Sequence, residues 1–297
     1  MDKLVEREPA TRNRLAAAPA LAVQFFLIPL AVVGVTALVY VGFRSLLADD
    51  RRPEDYLAEI RTGGTNRRWP AAYELSRLMA DPAVRDDRTL GPALVDAFKA
   101  SAADDPKVRT YLALAIGRLD PPLPPEAVTA LTEALAGAQG ETQVSVIWAL
   151  GSSGDPAVVS TLQPLYGSSD AGIRKMVVYA LGALPGDAQI VTLRTALQDP
   201  APDVRWNAAV ALARHDRRDG IPVIGEMLDR AFVEQKVTVE GRQRADEDPV
   251  AEVLISGLRA AAALREESLR SSIETLSRQD RSVKVRQAAL EALKVMG

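Results

Sequence analysis

Along most of this chain apolar residues return with a helical period, and the helices they predict return with a longer one. Ile173, Met176, Val177, Ala180 and Leu181 fall at i, i+3, i+4, i+7 and i+8, which lines them along one face of an α-helix. Their segment, IRKMVVYALG (173–182), has counterparts in TQVSVIWALG (142–151) and VRWNAAVALA (204–213). The second residues of these three, Gln143, Arg174 and Arg205, stand 31 positions apart both times. VRTYLALAIG (108–117), VRQAALEALK (285–294) and a weaker RRWPAAYELS (67–76) repeat the phrase. One helix pair cannot bury its apolar stripe alone, whereas a stack of pairs can, so the period predicts a repeat architecture.

The pattern predicts an all-α solenoid of about seven helix pairs over residues 53–297. First helices are expected at 53–63 and near 88–100, 125–137, 155–166, 187–199, 218–231 and 266–279. Second helices are expected at 66–80 and near 106–118, 141–150, 171–183, 203–214, 249–264 and 282–296. Asp105-Pro106, Asp155-Pro156 and Pro202-Asp203 punctuate the boundaries, since Asp caps a helix N-terminus and Pro fits its first turn. One spacing breaks the rhythm. Arg205 to its equivalent Leu254 is 49 residues, 18 more than the repeat. The surplus is AFVEQKVTVEGRQRADED (231–248), in which Lys236–Glu240 alternates like a strand edge and the remainder is charged. Insertions in repeat proteins map to loops on one face, often the binding face. Lys236, Glu240, Arg242, Arg244, Asp246 and Glu247 are therefore the candidate partner-binding residues.

The N-terminus follows a different pattern. From Leu15 to Phe43 there are 29 residues without a charge, bounded by Arg14 and Arg44. A run of this length exceeds the ~20 residues needed to span a bilayer, and is too long for the apolar core of a cleaved signal peptide. It predicts a polar tail at 1–19, a single transmembrane helix at 20–43 and a linker at 44–52. Lys and Arg tie at four on each side of the span, within residues 1–19 and 44–62, so the flanking charges do not fix its orientation.

Composition adds exclusions. Apolar residues make up 47% and charged residues 25%, as in ordinary folded proteins. The net charge of −3 offers no overall basic footprint, so no nucleic-acid partner is expected. There is no cysteine, which removes disulfides and thiolate metal sites. His215 is the single histidine and stands at a helix end, where it cannot supply a metal cluster. Asp246, Glu247 and Asp248 lack the spacing and turn glycine of a calcium loop. Phosphate-loop, zincin and nucleophile-elbow motifs are missing. No catalytic, metal-binding or cofactor-binding residue is expected, and no cofactor.

The text LGSSGDPAVVSTLQPLYGSSDAGIRKMVVYALG (150–182), continued by LQDPAPDVRWNAAVALA (197–213), resembles the HEAT repeats, in particular the bacterial form named after phycobilin lyases. The resembling elements are Gly154-Asp155-Pro156, Asp170 with Ile173-Arg174, and Asp203 with Val204-Arg205. Arg109, Arg174, Arg205 and Arg286 recur at one repeat position. The resemblance implies that each makes a structural bond to the Asp of its own or a neighbouring turn, with Asp105, Asp170, Asp203 and Asp280 as candidates. The expected function is a membrane-tethered, non-enzymatic scaffold that binds a protein partner, such as a membrane transporter complex. A bacterial-type inner membrane location is expected, with the repeats on the cytoplasmic side. The resemblance alone implies the alternative, a bilin-lyase-type enzyme or chaperone.

Overall fold

The computed structural model describes residues 28–47, 51–237 and 248–297. The chain divides into two compact units, Met1–Arg52 and Pro53–Gly297. The described part of the first unit holds helix α1, Ile28–Leu47. Leu30, Val32, Val33, Val35, Leu38, Val39 and Tyr40 all stand exposed on it. Its uncharged stretch, Ile28 to Phe43, is 16 residues. At ~1.5 Å per residue that is roughly 24 Å, short of a ~30 Å hydrocarbon core. Among the described residues no helix is long and apolar enough to cross a membrane. Residues 20–27 of the expected span lie outside the described residues. Part of the expected linker is helical too, since α1 runs on to Leu47 with no proline or glycine after Gly42 to stop it.

In the second unit every regular element among the described residues is helical. Pairing begins with α2 (Pro53–Thr62) and α3 (Thr65–Leu78). The short α4 (Pro82–Arg85) follows, then α5 (Leu90–Ala100), α6 (Pro106–Ile116), α7 (Pro125–Leu135) and α8 (Gly140–Gly151). Next come α9 (Val159–Leu162), α10 (Ala171–Ala183), α11 (Ile190–Ala196), α12 (Pro202–Arg214) and α13 (Ile221–Met227). The chain ends with α14 (Arg230–Lys236), α15 (Pro249–Leu264), α16 (Arg270–Gln279) and α17 (Val283–Met296). The second helices α3, α6, α8, α10, α12, α15 and α17 pack in that order into one row. The unit is an α-solenoid.

The aspartates at the turns work as caps. Asp105 accepts from Lys107 N at 2.9 Å, Asp155 from Ala157 N at 2.9 Å and Asp170 from Gly172 N at 2.7 Å. Glycine sets how closely neighbouring second helices approach. The twelfth position, counted from each helix start, holds Gly117 just after α6, Gly151 and Gly182 in α8 and α10, and Ala213 in α12. A Cβ at Gly151 would stand 2.5 Å from Ala180 Cβ, and one at Gly117 would stand 2.8 Å from Ala149 Cα.

Four elements differ from the sequence expectation, among them the helix expected at 218–231, which is a 3-10 turn at Arg218–Gly220 followed by α13 and gives way to α14 at Arg230. The helix expected at 155–166 is broken into a 3-10 turn at Pro156–Val158, the single turn α9 and a second 3-10 stretch at Gln163–Gly167. Pro164 has no N–H to give there and opposes a regular α-helix. The four-residue α4 is additional, started by Asp81, whose carboxylate accepts from Ala83 N at 2.9 Å. Lys236 ends helix α14 and is not strand. Asp229 caps that helix through Phe232 N at 3.1 Å and Val233 is wholly buried, so capping and one core contact override the local alternation. Residues 238–247 of the insertion lie outside the described residues.

Candidate functional site

The repeating arginines point into turns. Arg174 grips Asp199 with both carboxylate oxygens engaged, Nε to Oδ2 at 2.8 Å and Nη2 to Oδ1 at 2.9 Å. Its Nη1 donates to the carbonyls of Ser168 and Ser169 at 3.0 and 3.1 Å. Tyr166 Oη donates to the same carboxylate at 3.0 Å. The hydrogen bond from Arg174 holds the buried Asp199 below the usual carboxylate range, against its burial. Burial first, then the bond to Asp199, pushes Tyr166 up to about 12. Arg68 makes the equivalent two-pronged grip on Asp104 and also donates to Ile60 O at 2.7 Å.

The aspartates named from sequence take other roles. Asp105 and Asp170 cap their helices. Asp203 pairs with Lys175 at 3.1 Å. Arg205 donates to the carbonyl of Asp199 at 3.0 Å and stands 3.5 Å from Glu226, an ion pair. Arg286 takes the carbonyl of Asp280 at 2.6 Å. The carboxylate of Asp280 is held instead by Arg230 of α14, Nε and Nη2 at 2.6 and 2.7 Å. Arg230, the residue just before the insertion, thus supplies the guanidinium that Leu254 cannot. Arg109 lies over the Phe98 ring, its Cζ 4.9 Å from the centroid. The carboxylate partner sits in the turn of the following repeat, and that turn after Arg109 reads Gly137-Ala138, without an acid.

The exposed face of the second-helix row carries a different ladder. The ninth position holds Tyr73 in α3, Trp148 in α8, Tyr179 in α10 and Val210 in α12. Tyr73 and Tyr179 are 39% and 38% exposed, unusual for large rings in a packed stack. Where the twelfth-position glycines give way to Ala213, a cavity of about 650 Å³ opens between α10, α12 and α15. Met176, Val210, Met227 and Val253 give it apolar walls. Trp206 also lines it, and the indole N–H of this nearly buried side chain has no acceptor among the described residues. Lys175, Arg214 and Lys236 stand at its rim with Asp203 and Glu252. Arg214 lies over Tyr179 at 5.8 Å and Lys236 over Phe232 at 5.7 Å. A larger hollow of about 790 Å³ at the α2–α3 turn is lined only by Glu59 and Thr62–Arg67, and offers no apolar wall.

Of the partner-binding residues named from sequence, Lys236 reaches this groove. Glu240, Arg242, Arg244, Asp246 and Glu247 lie outside the described residues. His215 meets the buried Gln189 amide at 3.2 Å. Among the described residues no cluster of acids and histidine could hold a metal. Sequence reasoning missed Tyr179, Arg214 and the Trp206 N–H. A signal existed for the first: Trp148, Tyr179 and Val210 are spaced by the same 31 residues as the arginines.

Residues 91–181 and 128–213 match the family model of HEAT repeats. No curated protein matches significantly. Among solved structures the chain is similar to an engineered protein, at 17% identity over 82% of this chain and 96% of that one, with a TM-score of 0.44. It is also similar to human deoxyhypusine hydroxylase in complex with glycerol, at 17% identity over 82% and 95% with a TM-score of 0.35. A designed armadillo repeat protein is similar at 15% identity over 83% and 100%, with a TM-score of 0.38.

Proposed function

We propose that this chain is a non-enzymatic scaffold that holds a protein partner on its second-helix face while an N-terminal helix tethers it to a membrane. The carrying observation is the groove between α10, α12 and α15, walled by Met176, Val210, Met227 and Val253 with the exposed ring of Tyr179 at its edge. Stacked repeats offer such extended surfaces to partners. The uncharged run of Leu15–Phe43 and the exposed apolar side chains of α1 support the tether. The scaffold reading is favoured over a bilin-lyase-type enzyme because aromatic residues, which a tetrapyrrole pocket would need, make up only 5% of the chain. We place the protein in a bacterial-type inner membrane with its repeats on the cytoplasmic side.

Flotation of cell membranes tests the tether: the full chain should rise with lipid, and a chain lacking 15–43 should stay in the aqueous fraction. A full chain left in the aqueous fraction overturns it. The chain has no native cysteine, so Ser160→Cys on the exposed surface reports the side. A membrane-impermeant maleimide should label it only after the cells are lysed. Partner binding is tested by in-cell crosslinking from Tyr179. A crosslinked protein lost on Arg214→Glu supports the groove, and unchanged crosslinking in that variant moves the surface elsewhere.

A further inference from the structure

We infer that the groove between α10, α12 and α15 receives a short peptide segment with an apolar side chain beside a carboxylate. The inference rests on the scaffold reading and names the partner's chemistry. Four observations meet there. The cavity of about 650 Å³ has room for a few side chains, and its methionines, Met176 and Met227, adapt to irregular shapes. Trp206 is 4% exposed and its indole N–H lacks an acceptor among the described residues. At the rim Lys175 is already paired with Asp203, whereas Arg214 and Lys236 make no ion pair among the described residues. Among the described residues Glu252 is the one rim carboxylate left against these two cations, and it stands in the first turn of α15, where the helix dipole favours it. The rim therefore carries a surplus positive charge for an acidic group to meet.

The shape selects a chain over a small molecule. The groove continues the ninth-position row of Val210, Tyr179 and Trp148, so a segment seated between α12 and α15 can run on along the neighbouring helices. Apolar side chains would enter between Met176 and Val253, and carboxylates would lie against Arg214 and Lys236.

The test uses the full chain held in phosphatidylcholine nanodiscs and fluorescein-labelled twelve-residue peptides. One set has a central Leu-Phe flanked by Asp and Glu, and a matched set has Lys at the flanking positions. The acidic set should bind at least tenfold tighter by anisotropy. Arg214→Glu with Lys236→Glu, both at exposed sites, should erase that preference, while Arg278→Glu on α16 should leave it. Equal binding of both sets, or a preference that survives the double substitution, overturns the proposal. So does dodecanoate that displaces the peptide while the acidic set shows no preference, which would assign the groove to a fatty acid. Failure of these peptides alongside continued crosslinking from Tyr179 would sink the peptide chemistry and leave the scaffold reading standing.

Discussion

The arginines that recur at one repeat position stand in different environments, and their contributions should differ accordingly. Arg174 and Asp199 are 13% and 2% exposed at the side chain, so removing either leaves a buried partner uncompensated. Breaking a buried pair this way costs about 3–5 kcal/mol. Arg205 gives up a carbonyl bond and a long ion pair, for about 1–3 kcal/mol. Arg109 gives up a contact with the Phe98 ring, for about 0.5–1 kcal/mol. Urea unfolding of the three alanine variants should rank Arg174 first and Arg109 last, and equal losses would refute the geometry. Protonation offers a second check. The lowered Asp199 contributes stability that is present above its unfolded pKa of about 3.9 and is lost as pH falls through the lower folded value. The raised Tyr166 contributes stability that is present below about 10 and is lost as pH rises through its folded value near 12. Asp199→Asn should therefore flatten the acid limb of a melting-temperature profile, and Tyr166→Phe the alkaline limb.

At the scale of the helix, backbone approach outweighs propensity. Gly151→Ala favours the helix by about 1 kcal/mol in isolation. Its new Cβ would stand 2.5 Å from Ala180 Cβ and 2.6 Å from Ala180 Cα, so α8 and α10 must separate. Overpacking typically costs about 1–3 kcal/mol, and the net effect should be a lower melting temperature. Gly137→Ala meets nothing within 4 Å and should be close to neutral. The helices themselves were legible from sequence because their stripes and caps are local: Tyr56, Leu57 and Ile60 face the core as their spacing implies. The ion pairs were not, because partners such as Arg174 and Asp199 are 25 residues apart and belong to successive repeats. Asp170 looked like the partner of Arg174 since it is near in sequence, but its carboxylate is occupied by Gly172 N and Ile173 N. The groove was only half legible. The 31-residue spacing reaches Tyr179 and Val210, whereas Met227 and Lys236 arrive from outside the repeated phrase. For the insertion, replacing 238–247 with a Gly-Ser linker should leave the melting temperature near its original value. Extending the replacement to 232–247 should lower it, since that removes the buried Val233 and the adjoining Phe232.

Over the whole solenoid, each repeat touches only its neighbours, so stability is a sum of local and nearest-neighbour terms and the weakest junction decides how the stack comes apart. The junction between α12 and α15 has the marks of that weak point. Gly117, Gly151 and Gly182 let successive second helices close on one another up to α12, and Ala213 ends the series. The cavity of about 650 Å³ opens there, where a tightly packed interface would have placed side chains. On its far side, Arg230 and Asp280 tie α14 to the turn before α17, and Arg281 reaches Glu234 at 3.0 Å, so the last two repeats are bound to each other. Hydrogen exchange in increasing urea should therefore release amides of 249–297 before those of 91–213. Arg230→Ala should lower the denaturant concentration of the first release and leave the second where it was. A single transition that moves as one body in the variant would refute the weak junction. An acidic-apolar peptide seated in the groove touches α10 and α12 on one side and α15 on the other, so saturating peptide should bring the two releases together. That convergence would show that the space left by the end of the glycine series serves to couple the two halves through a ligand.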